Sequence, residues 1–421
     1  ARAYVTAYLR GSDVDLNDPY VYGVDDLTPR KLSFDALELP DRVLFRVDAE
    51  AKSNVYMRSW IATGFDWTEN QWISGTYDDL SAYRERFGNG YSPDSVKTNF
   101  YKYVYPSSSV IEDENTYKNF TKYGFTVQQV DVWRVRGSSL LLFVPAHMNT
   151  DVGLLEYSEF TPTPYKYQNY FDGTYSSFYF RYGRGYGTVS YVTALNRADI
   201  GSSMENALQY YNLCKDAILA APDATAEEAT AIVYNLEKEL SDKGIEFQGT
   251  SIADRYYFSM TAEERKEFIE SIETEKEYGL YVDELYTQRS EIEAIALIAE
   301  QIKTAAIEKE LAEGKDGVLT PHEAAIAVAE YFQSDEFYYT ETPNAELVKG
   351  NKSVIESFLT DVKQGYCTHF ASSAVALLRE MDIPCRYVEG YVASDFEDLG
   401  VNSGRTRSEV YGTDAHAWIE V

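Results

Sequence analysis

Cations, cysteine and long apolar runs are all scarce in this 421-residue chain. Lys and Arg number 38 against 68 Asp and Glu, a formal net charge of −30. So acidic a molecule argues against nucleic acid and against a bare anionic membrane surface as partners. The three cysteines, Cys214, Cys367 and Cys385, do not make a disulfide framework. No run approaches the roughly 20 apolar residues of a spanning helix; Leu140-Leu141-Leu142-Phe143-Val144 is strand-sized. The chain shows neither an initiating Met nor a signal-like start. Tyrosine, by contrast, is abundant at 37 residues. β-Propensity and half-buried faces explain that better than a carbohydrate- or peptide-binding surface.

The most informative stretch is Gly365-Tyr366-Cys367-Thr368-His369-Phe370-Ala371. Downstream, Phe370, Ala371, Ala374, Val375, Leu377 and Leu378 recur at three- and four-residue spacing. The spacing predicts an amphipathic helix with Cys367 in its first turn, where free N–H groups and the helix dipole favour a thiolate. Further on, Asp414-Ala415-His416-Ala417-Trp418-Ile419-Glu420-Val421 reads as a strand carrying a histidine. A helix-start cysteine followed by a strand histidine suits acyl transfer through a thioester. Either residue alone would read as a small buried hydrophobe or a structural donor. Between them, Leu378 to Val392 gives a helix end, a turn at Pro384 and a strand of β-branched and aromatic residues.

Two apparent metal motifs fail. His322-Glu323 begins like a zincin helix, but Ile326 stands where a second imidazole is needed. Asp316-Gly317 followed by Glu323 imitates half a calcium loop, yet Ala312 and Gly314 fill the first two ligand positions. Cys367 and His369 are neighbours without further ligands. The sequence therefore predicts no metal and no cofactor.

Residues 1–200 read as a β-rich, sandwich-like domain, with strands near 43–47, 55–60, 125–132 and 188–192 and an irregular region around 78–120. Residues 201–285 read as a helical insert or linker, and 286–421 as the catalytic core. Capping-box spacings at Thr225/Glu228, Thr261/Glu264 and Ser290/Glu293 mark helix starts. A helix over about 291–312 carries Ile295, Ile298, Ile302 and Ala305 on one face, and Thr320-Pro321 opens the next. The fold class predicted is α+β: a β-sandwich-like region, a helical insert and a papain-like C-terminal core.

The set Gly365-Tyr366-Cys367, His369-Phe370-Ala371, Leu378-Arg379, Ile383-Pro384, Arg386-Tyr387-Val388, Gly390-Tyr391 and His416-Ala417-Trp418 resembles the core of the bacterial transglutaminase-like superfamily. Phe45-Arg46-Val47, Tyr56-Met57-Arg58, Trp67 and Trp72 resemble, more loosely, the β region that precedes that core in membrane-bound members. The resemblance implies that Cys367 is the nucleophile and His416 its base. It implies a third member, an aspartate on the strand after the histidine strand, expected beyond Val421. Asp414, two residues before His416, does not occupy that position and is not assigned. The oxyanion would be held by the Cys367 N–H and one side-chain donor; Gln364 is near, but its spacing is not diagnostic. The resemblance also implies a protein or peptide substrate at the extracellular face of the cell membrane, with anchors outside these residues. Crosslinking transglutaminases and cysteine proteases share the constellation, so the acceptor, amine or water, stays open. The alternative is a non-catalytic cell-surface binding module that kept the fold.

Overall fold

The computed structural model describes residues 29–49, 54–74, 125–135, 142–146, 185–193, 219–242, 262–400 and 403–421, with a few shorter stretches between them. Cys214, Thr261 and most of the irregular region at 78–120 lie outside the described residues.

In chain order the strands are β1 (Arg30–Lys31), β2 (Val43–Ala49), β3 (Val55–Ile61), β4 (Gly64–Asp66), β5 (Gln71–Ile73) and β6 (Phe125–Arg134). There follow β7 (Val144–Pro145), β8 (Leu154–Tyr157), β9 (Pro162–Pro164), β10 (Gln168–Asn169), β11 (Tyr175–Ser176) and β12 (Gly185–Thr193). The C-terminal part adds β13 (Tyr338–Tyr339), β14 (Gln364–Gly365), β15 (Arg386–Ala393), β16 (Glu397–Asp398), β17 (Thr406–Tyr411) and β18 (Ala415–Glu420). The helices are α1 (Ala226–Asp242), α2 (Ala262–Tyr286), α3 (Glu293–Ala312), α4 (Pro321–Phe332), α5 (Val354–Ser357) and α6 (Cys367–Glu380).

A larger sheet runs β16-β17-β2-β6-β12-β8-β9 and a smaller one β18-β15-β3-β7. Alternation in β2 buries Phe45, Val47 and Ala49. These meet Val55 and Met57 of β3, Val130 and Val132 of β6, Val144, Ala393 and Val410 in one apolar layer between the two sheets. Phe45 stacks on Phe143 at 4.3 Å and takes the edge of Tyr391 at 5.4 Å. The arrangement is sandwich-like, as the sequence predicts, but its strands come from both ends of the chain: β2 pairs with β17 and β3 with β15. The segments 1–200 and 286–421 thus divide the sequence, while the sheets join them.

A second core lies under α6. Ala371, Ala374, Val375, Leu377 and Leu378 pack against Ile295, Ala299 and Ile302 of α3, Ala324 and Val328 of α4, and Tyr387 and Ala417 of the smaller sheet. The β1-β5-β4 sheet covers this core from the N-terminal side. There the Trp72 indole stacks flat on Tyr387 at 4.7 Å and donates to the Ser372 hydroxyl at 2.8 Å. The fold is α+β with a helical C-terminal core laid on a mixed-origin sheet.

Two helix starts behave as their sequences predict. Thr320 caps α4 in a capping box with Glu323, with Pro321 at the first helical position. Thr225 and Glu228 do the same for α1. Ser290 does not cap α3, whose N-cap is Ile292. Its hydroxyl and backbone N–H both donate to the Glu380 carboxylate at the end of α6, a tertiary contact that outcompetes the local box. Glu323 and Asp316, the two apparent metal ligands, serve locally: Glu323 in its capping box, Asp316 accepting from Val318 N–H.

Candidate active site

The loop before α6 is built by packing. Residues Phe358–Val362 form a π-helical turn that ends at Lys363 in the left-handed region, φ 51°. The chain then straightens into β14, which pairs in parallel with β13, Tyr338 opposite Gln364 and Tyr339 opposite Gly365. A Cβ at Gly365 would lie 2.7 Å from the His369 ring, so only glycine lets the strand pass.

His369 holds this turn. It is fully buried, accepts from the Tyr366 N–H through Nδ1 at 3.3 Å, and donates from Nε2 to the Ser33 carbonyl at 2.9 Å. Its ring stacks on Phe34 at 5.0 Å and Phe358 at 5.7 Å. Burial depresses it to about 4, so it is a neutral structural imidazole at neutral pH. Tyr366 reaches the same N-terminal strap, donating toward the carbonyls of Ser33 and Asp35.

Cys367 is the first residue of α6 and is 8% exposed. Three groups around its sulfur act to lower the thiol: the Ala417 backbone, the Tyr339 hydroxyl and the Thr368 backbone. Burial nonetheless dominates and pushes the thiol up from its ordinary value, and the nearby Glu389 charge adds to that rise. The helix start therefore does not by itself give a resting thiolate, contrary to the expectation from the dipole; desolvation of the charged form is the larger effect. A base is needed to take this proton.

His416 stands one residue before Ala417 on β18, the outer strand of the smaller sheet. Its ring lies 6.2 Å from Tyr56 and 6.5 Å from Trp418. In the ladder with β15, His416 is opposite Gly390 and Ala417 opposite Glu389, so the two lie on alternate faces of the strand. A Cβ at Gly390 would lie 2.1 Å from the Met57 carbonyl and 2.8 Å from the Trp418 ring; its absence lets the indole lie down beside His416. Asp414 is not on the strand. It ends a 3-10 turn, Gly412–Asp414, and its carboxylate accepts the Tyr411 N–H at 2.7 Å.

Carboxylates and cations are paired around this floor. Glu389 accepts from the Tyr387 hydroxyl at 2.8 Å and pairs with Arg30 at 3.3 Å. Burial raises its carboxyl from the ordinary value. Across the same ladder Arg386 donates to Glu420 at 2.9 Å. Among the described residues no group of three His, Cys, Asp or Glu side chains is placed to hold a metal ion. Among the same residues no helix is long and apolar enough to cross a membrane.

Residues 309–421, spanning α4, α6, β15 and the histidine strand, match the model of the Transglutaminase-like superfamily. The C-terminal part of the chain is a transglutaminase-like domain. Two relatives align with part of the chain. One is the uncharacterized protein YebA of Bacillus subtilis, 39% identical over 95 residues, 23% of this chain and 13% of that protein. The other is a protein-glutamine gamma-glutamyltransferase of Pseudomonas aeruginosa, 32% identical over 100 residues, 24% of this chain and 14% of that protein. The chain thus matches about an eighth of the length of either relative. Among solved structures, the periplasmic domain of TgpA from Pseudomonas aeruginosa, bound to ethylmercury, covers 90% of this chain and 85% of its own. Its TM-score is 0.44 at 15% identity.

Within the transglutaminase-like domain, sequence reasoning singled out Cys367 and His416. It missed Tyr339 and Glu389, both of which act on the sulfur. Neither sits at a spacing that reveals it. Tyr339 lies on β13, paired in parallel with the strand before Cys367, and Glu389 lies on β15, opposite Ala417. Gln364 lies in β14, opposite Tyr338.

Proposed function

We propose that the transglutaminase-like domain performs acyl transfer on protein or peptide amides through a thioester on Cys367, with His416 as base. The observation that carries the reading is the sulfur's setting. It lies at a helix start, where three groups act to lower its thiol, one of them the backbone of Ala417, the residue next to His416. In the reaction the imidazole takes the thiol proton and the sulfur attacks the amide carbon. The carbonyl electron pair moves to oxygen, and collapse expels the amine with the proton returned from His416. An amine or water then resolves the thioester. The raised thiol fits this division of labour, because the proton leaves only when base and substrate are both in place.

An aspartate on the following strand, as the family resemblance implies, would orient the imidazole. Asp414 holds its own turn instead, and Glu389 lies on the other face, paired with Arg30. The same resemblance supports a site at the extracellular face of the cell membrane and a substrate presented there. The relative named a protein-glutamine gamma-glutamyltransferase supports glutamine as the acyl donor.

The test is capture of the intermediate. Protein incubated with a glutamine peptide and quenched in acid should gain the mass of the peptide less ammonia. Adding an alkylamine should move the product from hydrolysed to amide-linked peptide. Cys367→Ala should give no adduct. Absence of an adduct on the unmodified protein, or its persistence in the alanine variant, would end the acyl-transfer reading. One observation favours the rival binding module, the burial of the thiol, which pushes it up from its ordinary value; that reading expects no adduct and slow alkylation.

A further inference from the structure

Between β1 and β2, residues 33–42 run as an irregular strap whose two ends meet the supports of two different residues. At its start the Ser33 carbonyl accepts from His369 Nε2 at 2.9 Å and from the Tyr366 hydroxyl at 3.4 Å. The Asp35 carbonyl accepts from the same hydroxyl at 3.3 Å, and Phe34 stacks on the His369 ring at 5.0 Å. Tyr366 and His369 flank Cys367 in the chain, so this end grips the cysteine turn. Midway, the Leu37 N–H donates to the Glu341 carbonyl at 2.8 Å, and the Leu37 side chain packs on the core under α6. At the far end the Arg42 carbonyl accepts from the Gly412 N–H at 3.1 Å. Gly412 opens the 3-10 turn that leads into β18 and His416. A Cβ there would lie 2.3 Å from the Pro40 carbonyl oxygen, so turn and strap touch backbone to backbone.

Resting on the thioester reading, we propose that this strap is a positioning element of the active site: it fixes the histidine turn against the cysteine turn and so sets how the imidazole meets the sulfur. The strap lies outside residues 309–421, so the transglutaminase-like domain takes part of its catalytic geometry from the N-terminal region. The argument is mechanical. Cys367 begins a helix, whereas His416 lies on β18, which among the described residues pairs with β15 alone. A strand paired along one side is held less firmly than a central one, and the strap adds a hold on the turn that feeds it. The strap is itself anchored, since β1 pairs with β5, and β2 with β17 and β6. A displacement of about 1 Å between reacting groups costs on the order of 10²-fold in rate, so such a tether bears on chemistry as well as on stability.

Inserting two glycines between Glu38 and Leu39 tests this. The insertion lengthens the leg between the Glu341 tie and the Gly412 tie while keeping every residue that makes a named contact. Single-turnover acylation with a glutamine peptide should fall by roughly 10–100-fold, with half-saturation changed by less than about twofold. The thermal midpoint should drop by no more than a few degrees, as for lengthening any surface loop. Iodoacetamide alkylation of Cys367 at neutral pH should slow as well, since the thiol is then poorly placed for its base. Gly412→Ala, which drives a Cβ onto Pro40, should produce the same two losses. The decisive comparison is made in the His416→Ala background. There the insertion should change alkylation by less than about twofold, because the strap acts through the imidazole. Equal slowing with and without His416 would show a general loosening of the fold and overturn the proposal. So would acylation and alkylation by the insertion variant within about threefold of the unmodified protein. Absence of any adduct on the unmodified protein would end the thioester reading alone, because alkylation of Cys367 still reports whether strap and imidazole are coupled.

Discussion

Cys367 and Cys385 are both buried thiols about one helix apart in sequence, and burial pushes both up from the ordinary value. Their surroundings differ in one respect. Cys385 is 1% exposed, is pushed to about 12, and has no hydrogen-bond donor among the causes of its shift; the charges of Arg379, Glu420 and Arg386 act on it only at a distance. Cys367 has three groups that act to lower its thiol, and a partly exposed tyrosine and glutamate around it. Burial disfavours the thiolate of both cysteines; only at Cys367 do neighbouring groups act against it through hydrogen bonding.

That contrast is broken most sharply by acylation of the two thiols. Cys367→Ala should abolish the peptide adduct, whereas Cys385→Ala should leave the acylation rate within about twofold. Loss of the adduct in the Cys385 variant with the fold intact would assign the chemistry to the wrong thiol. His416→Ala comes next. It should lower single-turnover acylation by roughly 10²–10⁴-fold, because the buried thiol then has no base to receive its proton. A fall of less than about tenfold would remove His416 from that role.

A third effect concerns the histidine that does not react. His369 has a folded value near 4 against 6.5 for an exposed imidazole. Between those two pH values the unfolded chain binds a proton that the folded ring refuses. Stability should therefore be full above about pH 6.5 and fall by roughly 3 kcal/mol on going down to pH 4. Urea unfolding of His369→Gln, which cannot titrate, should show a flatter pH dependence over that window. Equal slopes in the two proteins would show that His369 is not the group responsible. The smallest effect is electrostatic. Glu389→Gln removes a negative charge that raises the Cys367 thiol, so the midpoint for its alkylation should move down. Cys385, which Glu389 does not influence, should be unmoved.

Much of this was legible from the chain. The helix at Cys367, the strand at Arg386 and the capping of α4 follow from local patterns: apolar spacing, β-branched residues, a Thr-Pro-x-Glu start. The candidate pair Cys367 and His416 was legible because ordered motifs around it match a family. Where sequence reading failed, long-range contacts had overridden local ones. Ser290 has the spacing of a cap, yet Glu380 ninety residues away takes its donors. Asp414 reads as a strand residue, but Tyr411 N–H folds it into a turn.

By itself, the sequence determined which residues are proposed to carry acyl-transfer chemistry and where the main helices and strands of the C-terminal domain lie, because both depend on side-chain type and on spacing within a few residues. Only the tertiary structure decided which groups surround the sulfur. Tyr339, Glu389 and Ala417 converge on Cys367 from three separate strands. It also decided that burial pushes the thiol up, since the cost of burying a charge depends on everything packed around it and not on the residues beside it in the chain.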